Sequence, residues 1–127
     1  MKIAVTGSSG FLGRYLVRRL VHAGHHLRCW HRPKSDRKGF EDVAAAVEWL
    51  PGELGANESA QKLVRGTDAL IHAAVQWAGP RNRGSGSHGA SEIFWGVNFT
   101  GSLQLFQARW RLVSLAACLS PHVQSTI

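Results

Sequence analysis

A short glycine-rich segment near the amino terminus constrains this chain more than any other feature. Residues Thr6–Gly13, TGSSGFLG, directly follow the apolar run Ile3–Val5. Gly7 permits a tight turn out of a strand, Gly10 leaves the backbone open to a phosphate, and Gly13 lets the next helix pack close to the sheet. That helix directs unpaired N–H groups and the positive end of its dipole at the phosphate. The segment therefore predicts a strand–turn–helix unit that binds a phosphate group.

Two other interpretations of this segment were weighed. A glycine-rich turn without a ligand is disfavoured because the segment follows a predicted strand and opens an amphipathic helix. A P-loop requires Gly-Lys-Ser/Thr at its end, whereas Gly13 is followed by Arg14 and Tyr15, so that motif is excluded. Ser8 and Ser9 are expected to add hydroxyl donors to the turn.

The length and charge of the chain limit the remaining choices. At 127 residues it is long enough for one domain and too short for two ordinary ones. Its 15 basic against 8 acidic residues give a formal charge of +7, which favours anionic partners such as nucleotide cofactors or nucleic acid. Because the chain shows no nucleic-acid-binding motif, we expect no nucleic-acid partner.

The cysteines and histidines predict neither a disulfide nor a metal site. Cys29 and Cys118 lack any metal or redox spacing and are expected to be reduced thiols. Three histidines near a predicted helix end have no carboxylate or thiolate partners in a suitable pattern: His22, His25 and His26. The first apolar run is interrupted by Gly7, and no stretch approaches transmembrane length. We therefore expect a cytoplasmic protein without a membrane partner.

Hydrophobic periodicity predicts strands that alternate with helices. The predicted strands cover residues 2–6, 26–31, 46–50, 68–75 and 111–117. The predicted helices cover residues 11–23, 58–65 and about 91–109, with a short helix near 40–45. This alternation is typical of an α/β fold with a doubly wound parallel sheet. The glycine-rich connection 76–91 is long enough to be functional or disordered, and residues 118–127 predict an irregular tail.

Three segments together resemble the extended short-chain dehydrogenase/reductases, the NAD(P)-dependent epimerase/dehydratase family. Thr6–Gly13 matches that family's TGxxGFLG motif, Asp68–Ala74 resembles its D-x-V-I-H-x-A strand, and Asn98 with Gly101 resembles its N-x-x-G helix. The segments occur in the family's order over roughly the first 110 residues. The resemblance implies a single Rossmann-like NAD(P)-binding domain over residues 1–127, incomplete at its carboxyl-terminal side.

The resemblance also implies which residues contact the dinucleotide. They are Gly7, Ser8, Ser9, Gly10, Phe11, Leu12, Gly13, Arg32, Glu53, Leu54, Ala73, Ala74, Val75 and Asn98. Glu53 stands where the family often has aspartate near the adenine amino group, so the longer side chain makes that contact less well. Val75 replaces the usual alanine and crowds the nicotinamide side.

The end of the second strand bears on cofactor choice. NAD-preferring members place an acid there for the ribose 2′-hydroxyl, but this chain has Arg32 and no acid until Asp36. A guanidinium grips a 2′-phosphate through charge-assisted hydrogen bonds. We therefore expect NADP to be preferred, with NAD as the alternative cofactor. The other interpretation is that Arg32 only solubilises the strand end.

The family's catalytic groups have no counterpart in this chain. The only tyrosine is Tyr15, in the first helix, and no lysine follows Lys62, so a Tyr-x-x-x-Lys pair is missing. Where serines are expected near the end of a fifth strand, the chain has Ala116 and Ala117, with Ser114 and Ser120 as the only nearby substitutes. No catalytic residue is predicted, and a small-molecule substrate is expected only for a full-length relative.

Two functions remain open from the sequence. One is the NAD(P)-binding domain of an epimerase/dehydratase-like oxidoreductase, either as a truncated or altered form of a longer enzyme or as a short stand-alone cofactor binder. The other is a non-catalytic NADP(H)-binding sensor or regulatory module. If the helix that normally follows strand five is missing, one sheet face is uncovered, which predicts self-association or low stability.

Overall fold

The protein is represented by a computed structural model that describes residues 1–76, residue 92 and residues 94–119, with side chains through residue 113. The glycine-rich connection predicted at residues 76–91 lies outside the described residues after Gln76. The predicted tail lies outside them from residue 120 onward.

Four strands form one parallel sheet in the described part of the chain. They are β1 (Lys2–Thr6), β2 (His26–His31), β3 (Val47–Pro51) and β4 (Ala69–His72). Their order is β3-β2-β1-β4, and every pairing is parallel. After β1, the chain places β2 and β3 on one side of β1 and then crosses over to place β4 on the other side. Ligands of such sheets bind at the carboxyl ends of the strands where the order reverses, which here is the end of β1.

One face of the sheet is covered by helix α1 (Phe11–His22) and a 3₁₀ helix (Glu41–Ala46). Side chains alternate between the faces of a strand, so Ile3 and Val5 of β1 point into this layer. The buried residues here are Ile3, Val5, Val17, Leu27, Cys29, Phe40 and Val43. Val17 is fully buried, as the helical spacing of the apolar positions in α1 predicts.

The opposite face is covered by α2 (Asn57–Val64) and α3 (Gly101–Leu119), and a π-helical turn (Gly96–Thr100) leads into α3. The buried residues of this layer are Ala4, Trp30, Ala60, Leu63, Val64, Leu105 and Ala108. Because helices cover both faces, the predicted doubly wound α/β fold is confirmed.

The predicted fifth strand, residues 111–117, is wrong, because α3 runs unbroken to Leu119. No glycine or proline interrupts the chain from Gln104 to Leu119, and leucine and alanine are strong helix formers. The apolar contacts on α2 also keep helical spacing through Leu105, Ala108 and Leu112. The irregular tail predicted from residue 118 therefore begins within a helix.

Strand β4 is shorter than predicted. It ends at His72, and the next four residues leave the sheet at its carboxyl edge. No helix in the described residues is both long enough and apolar enough to cross a lipid bilayer.

Cys29 is a free thiol buried under α1. Burial raises the pKa of this thiol to about 11, although a hydrogen bond with Ser8 acts in the opposite direction. Because the thiolate is the reactive form, the native thiol should resist alkylation near neutral pH. We expect a Cys118→Ser variant to take up iodoacetamide in denaturant but not in buffer, as measured by mass spectrometry. Fast labelling of the folded variant would show that Cys29 is accessible.

Candidate functional site

The glycine turn between β1 and α1 requires glycine at two positions for backbone packing alone. Gly7 has a φ of 73°, which disfavours other residues, and a Cβ there would lie 2.5 Å from the carbonyl carbon of Ala73. A Cβ on Gly13 would overlap the carbonyl oxygen of Gly7. The N–H of Gly10 donates to that same oxygen at 3.0 Å and closes the turn. The turn thus brings β1, α1 and the end of β4 into contact.

The amino-terminal end of α1 is open to an anion. No side chain in the described part of the chain caps it, and its first turn contains no acidic residue. The first backbone N–H groups of a helix have no partner within the helix, so they and the positive end of the dipole favour a negative group. Phe11 and Leu12 are 86% and 60% exposed at this end, and neither side chain lines the cleft described below.

The two serines of the turn differ in position. Ser8 is fully buried, and its hydroxyl donates to the carbonyl of Val5 at 3.1 Å. Ser9 lines the cleft. The expectation that both serines offer hydroxyl donors to a ligand is therefore corrected for Ser8, whose hydroxyl holds the turn against β1.

A cleft of about 660 Å³ opens at the carboxyl ends of the strands. This volume lies within the range of about 300–1,000 Å³ that is usual for small-molecule sites. The predicted cofactor residues that line it are Gly7, Ser9, Gly10, Arg32, Glu53, Leu54, Ala73, Ala74 and Val75. The predicted residues that do not line it are Ser8, Phe11, Leu12, Gly13 and Asn98. Nine of the fourteen predicted residues thus lie together around one cleft, drawn from four separate segments.

Several cleft residues were missed as site residues. Trp30, Ser35, Gly52 and Gln76 all line it, and each follows or ends a strand at the same edge of the sheet. The strand assignments alone could have indicated them, since the carboxyl ends of parallel strands meet there.

The end of β2 presents unpaired positive charge to the cleft. Residues 32–35 form a closed turn, in which the N–H of Ser35 donates to the Arg32 carbonyl at 2.9 Å and the Arg32 N–H donates to the Ser35 hydroxyl at 2.9 Å. Arg32 and Lys34 are exposed on the cleft wall. Within the described residues, neither side chain has an ion-pair or hydrogen-bond partner. Both charges are therefore available to an anionic ligand.

The Arg14 side chain stabilises the connection that follows β2. The sequence did not predict this role. Its guanidinium donates to the carbonyls of Ser9, Asp36 and Lys38 at 3.2, 2.9 and 2.7 Å. It also lies 5.0 Å from the centre of the Phe40 ring. One side chain of α1 thus holds the connection after β2 against the glycine turn.

The cleft wall also includes a tryptophan whose indole N–H has no partner among the described residues. Trp30 is 5% exposed, lines the cleft, and its buried indole Nε1 has no hydrogen-bond partner in the described part of the chain. A buried donor without a partner is costly. The indole packs directly over Gly52, where a Cβ would overlap it.

Asn98 acts on the cleft through the backbone of Gln76. Its Oδ1 accepts the Gln76 N–H at 2.8 Å, and its Nδ2 donates to the Gln76 carbonyl at 2.8 Å. Nδ2 also donates to the carbonyl of Phe94 at 2.8 Å. Asn98 therefore fixes one cleft-lining residue rather than lining the cleft itself.

The candidate catalytic groups lie away from the cleft or outside the described side chains. Tyr15 is 68% exposed on α1 and packs edge-on against Phe11, with ring centres 5.7 Å apart. The side chain of Ser114 is not described, and Ser120 lies outside the described residues. Among the residues described, no group of three or more His, Cys, Asp and Glu side chains is placed to hold a metal ion.

Known proteins match most of this chain. The model of the NAD dependent epimerase/dehydratase family matches residues 3–113. Ceramide reductase of Caulobacter vibrioides is 36% identical over 72 residues, which cover 57% of this chain and 22% of that protein. The 2-alkyl-3-oxoalkanoate reductase of Stenotrophomonas maltophilia is also 36% identical over 72 residues, covering 57% of this chain and 21% of that protein.

The fold matches solved structures as well. The crystal structure of gox2253 has a TM-score of 0.67 and 27% identity to this chain, covering 87% of it and 31% of that chain. This chain thus spans about a fifth of the length of the two reductases and about a third of that structure.

Proposed function

The chain belongs to the NAD dependent epimerase/dehydratase family, and from that membership we propose that its cleft binds NADP(H) in preference to NAD(H). The pyrophosphate lies at the glycine turn and the open end of α1. The adenosine half lies toward the ends of β2 and β3, and the nicotinamide half lies toward Ala73, Ala74 and Val75.

The single observation that supports the preference for NADP(H) is the charge at the end of β2. Arg32 and Lys34 face the cleft without partners among the described residues. An Asp or Glu at this point would accept hydrogen bonds from a ribose 2′-hydroxyl and would repel a 2′-phosphate. A guanidinium instead binds the phosphate through charge-assisted hydrogen bonds.

The polar groups of the β3 side fit the adenosine half. Glu53 and Leu54 line the cleft beside Trp30, whose buried Nε1 lacks a partner in the described residues. Leu54 offers apolar contact to a base, and Glu53 offers an acceptor to an amino group. The cleft thus combines an apolar wall with a few convergent polar groups, as small-molecule sites usually do.

The proposed role of this chain is cofactor binding within an oxidoreductase of the short-chain dehydrogenase/reductase type. A bound nicotinamide would donate hydride to a carbonyl carbon in its reduced form, or accept hydride from an alcohol carbon in its oxidised form. General acid–base catalysis requires a group within hydrogen-bond reach of the reacting oxygen, and Tyr15 lies away from the cleft. We therefore expect this chain to bind cofactor without turning over an alcohol or carbonyl substrate.

Calorimetric titration with NADPH and NADH at one fixed salt concentration tests the proposal. A charge-assisted hydrogen bond contributes about 1.5–3 kcal/mol, so NADPH should bind roughly tenfold to a hundredfold more tightly than NADH. Arg32→Ser should weaken NADPH binding by about tenfold and leave NADH binding unchanged.

The control is Arg37→Ser, which removes an equal charge from an exposed residue that does not line the cleft. This variant should keep the preference for NADPH. Equal affinity of the unmodified chain for the two cofactors would refute the NADP preference, and no binding of either would refute the cofactor site itself.

A further inference from the structure

His72 lies at the centre of a hydrogen-bond chain that joins β1, β4 and α3. Its Nδ1 lies 2.5 Å from the hydroxyl oxygen of Thr6, and its Nε2 lies 2.8 Å from that of Ser102. The Ser102 hydroxyl donates to the Asn98 carbonyl at 2.5 Å. The N–H of Ala74 donates to the Thr6 hydroxyl oxygen at 3.3 Å. Each side chain in this series is therefore bonded on both sides.

The hydroxyl and imidazole protons of this hydrogen-bond series can be assigned from the two ends of the series. A carbonyl only accepts, so the single hydroxyl proton of Ser102 points to Asn98, and Ser102 accepts from His72. At the other end, a backbone N–H only donates, so Ala74 donates to Thr6. The hydroxyl proton of Thr6 is then left for Nδ1 of His72. Every group is satisfied when the imidazole is neutral and carries its proton on Nε2.

A protonated His72 breaks this pattern. With protons on both nitrogens, His72 and Ala74 would both donate to the Thr6 oxygen, and the Thr6 hydroxyl proton would lose its acceptor. Thr6 is fully buried, and a buried donor without a partner is costly. The half-buried position of the imidazole acts in the same direction, since desolvation lowers the pKa of His72 from its ordinary value of 6.5.

Among the described residues, none of the hydrogen-bond and ring partners of His72 carries a charge. β1 contributes Thr6, and α3 contributes Ser102 and Phe106, whose ring lies edge-on at 6.0 Å. The charged groups near the two strands are engaged at their other end, where the Lys2 ammonium pairs with Glu48 at 3.0 Å and the Asp68 carboxylate accepts the Lys2 backbone N–H at 2.7 Å. Arg109 of α3 is also bonded there, through the Asp68 carbonyl.

The chain of hydrogen bonds fixes one wall of the cleft. Residues Ala73–Gln76 line that wall. The Ala73 N–H donates to the Thr6 carbonyl at 3.2 Å, and the Gln76 backbone is held by Asn98. The same Asn98 accepts from Ser102 through its carbonyl. His72 therefore links Thr6, which holds the Ala73 end of this wall, to Asn98, which holds the Gln76 end.

We propose that His72 is a positioning residue whose neutral, Nε2-protonated form holds the Ala73–Gln76 wall, so that protonation of His72 loosens this wall and weakens cofactor binding. The inference rests on the proposed NADP(H) site.

NADPH titrations at about pH 8 and about pH 5 test the coupling. The comparison is between the unmodified chain and two variants that cannot titrate. His72→Asn keeps an acceptor toward Thr6, and His72→Gln keeps a donor toward Ser102. The 2′-phosphate of NADPH itself titrates near pH 6, but this contribution is common to all three proteins and cancels. We expect the unmodified chain to lose about fivefold more affinity on acidification than either variant.

The control is His22→Asn, which removes an imidazole from the carboxyl-terminal end of α1, away from the cleft, and should keep the full pH response. An equal pH response in the unmodified chain and both His72 variants would overturn the coupling. Circular dichroism at both pH values shows that each protein is folded.

A second measurement does not depend on the cofactor. Nitrogen-15 NMR of the imidazole at about pH 8 should show a protonated Nε2 and an unprotonated Nδ1 for His72. The opposite tautomer would overturn the inference even if NADPH binds. Failure to bind NADPH at about pH 8, with the expected tautomer present, would refute the proposed function and leave the hydrogen-bond assignment intact.

Discussion

A Gly13→Ala variant should lose about 3 kcal/mol or more of its free energy of unfolding. The added Cβ would overlap the carbonyl oxygen of Gly7 and lie 2.7 Å from the backbone of Ser8. Both obstacles are backbone atoms, so no side-chain rotation can relieve them. The clash would push α1 away from the sheet and open the layer that contains Val17. Urea denaturation followed by circular dichroism would measure the loss.

Two other glycines provide matched comparisons for Gly13. A Cβ on Gly96 meets no atom within 4 Å, so Gly96→Ala should be neutral or slightly stabilising, because alanine favours helix more than glycine does. A Cβ on Gly10 would lie 3.2 Å from the Gly7 carbonyl oxygen, and Gly10 lines the cleft. Gly10→Ala should therefore weaken NADPH binding more than it lowers stability. Equal stability of the Gly13 and Gly96 variants would show that α1 can move without cost.

The first half of the fold could be predicted because its information is local. β1 places Ile3 and Val5 on one face and Ala4 on the other, and the glycines that follow specify the turn. Each strand from β1 to β4 is a short run of apolar or alternating apolar and polar residues next to turn residues, which single-sequence patterns describe well. The agreement between the predicted and observed elements from β1 to β4 therefore rests on local periodicity and turn residues.

The error at residues 111–117 has a different origin. A short apolar run does not distinguish a buried strand from a helix, and the strand at residues 111–117 was predicted from such a run. The described tertiary contact within this segment is made by Leu112, which packs against the cluster that contains Leu63 of α2. Such contacts depend on how two distant segments pack, which the local sequence does not encode.

The candidate site divides in the same way. Gly7, Gly10 and Arg32 were predicted to contribute to it because they lie at strand ends, which gather at one edge of a parallel sheet. The role of His72 as a bonded partner of Thr6 was not predicted, because these residues lie 66 positions apart. The burial of Ser8 was missed as well, since its neighbour Ser9, of the same type, faces the cleft.

We expect the purified chain to self-associate through one face of α3. Five large apolar side chains lie exposed at alternating steps of four and three residues: Phe99, Leu103, Phe106, Trp110 and Val113. This spacing is that of a coiled-coil seam, which packs against another helix. The sequence predicts self-association from an uncovered sheet face, whereas these five exposed side chains lie on a helix face. The likeness to a helix seam favours a second copy of α3 as the partner.

The size of the seam sets the expected affinity. The exposed fractions of its side chains range from 43% for Val113 to 72% for Trp110. With about 150–250 Å² for each aromatic side chain, two copies would bury roughly 1,000 Å² in total. This area is at the lower end for specific interfaces, so we expect a dimer that dissociates on dilution rather than a permanent one.

A Trp110→Glu variant should be monomeric at concentrations where the unmodified chain is dimeric. Glutamate favours helix, so α3 remains intact, while two carboxylates at the centre of the seam resist burial. Analytical ultracentrifugation over a range of concentrations gives the dissociation constants. The control Gln61→Glu makes the same charge change at an exposed position of α2 and should dimerise like the unmodified chain. If Trp110→Glu dimerises equally well, the association uses another surface, and the exposed face of α3 is not the contact between copies.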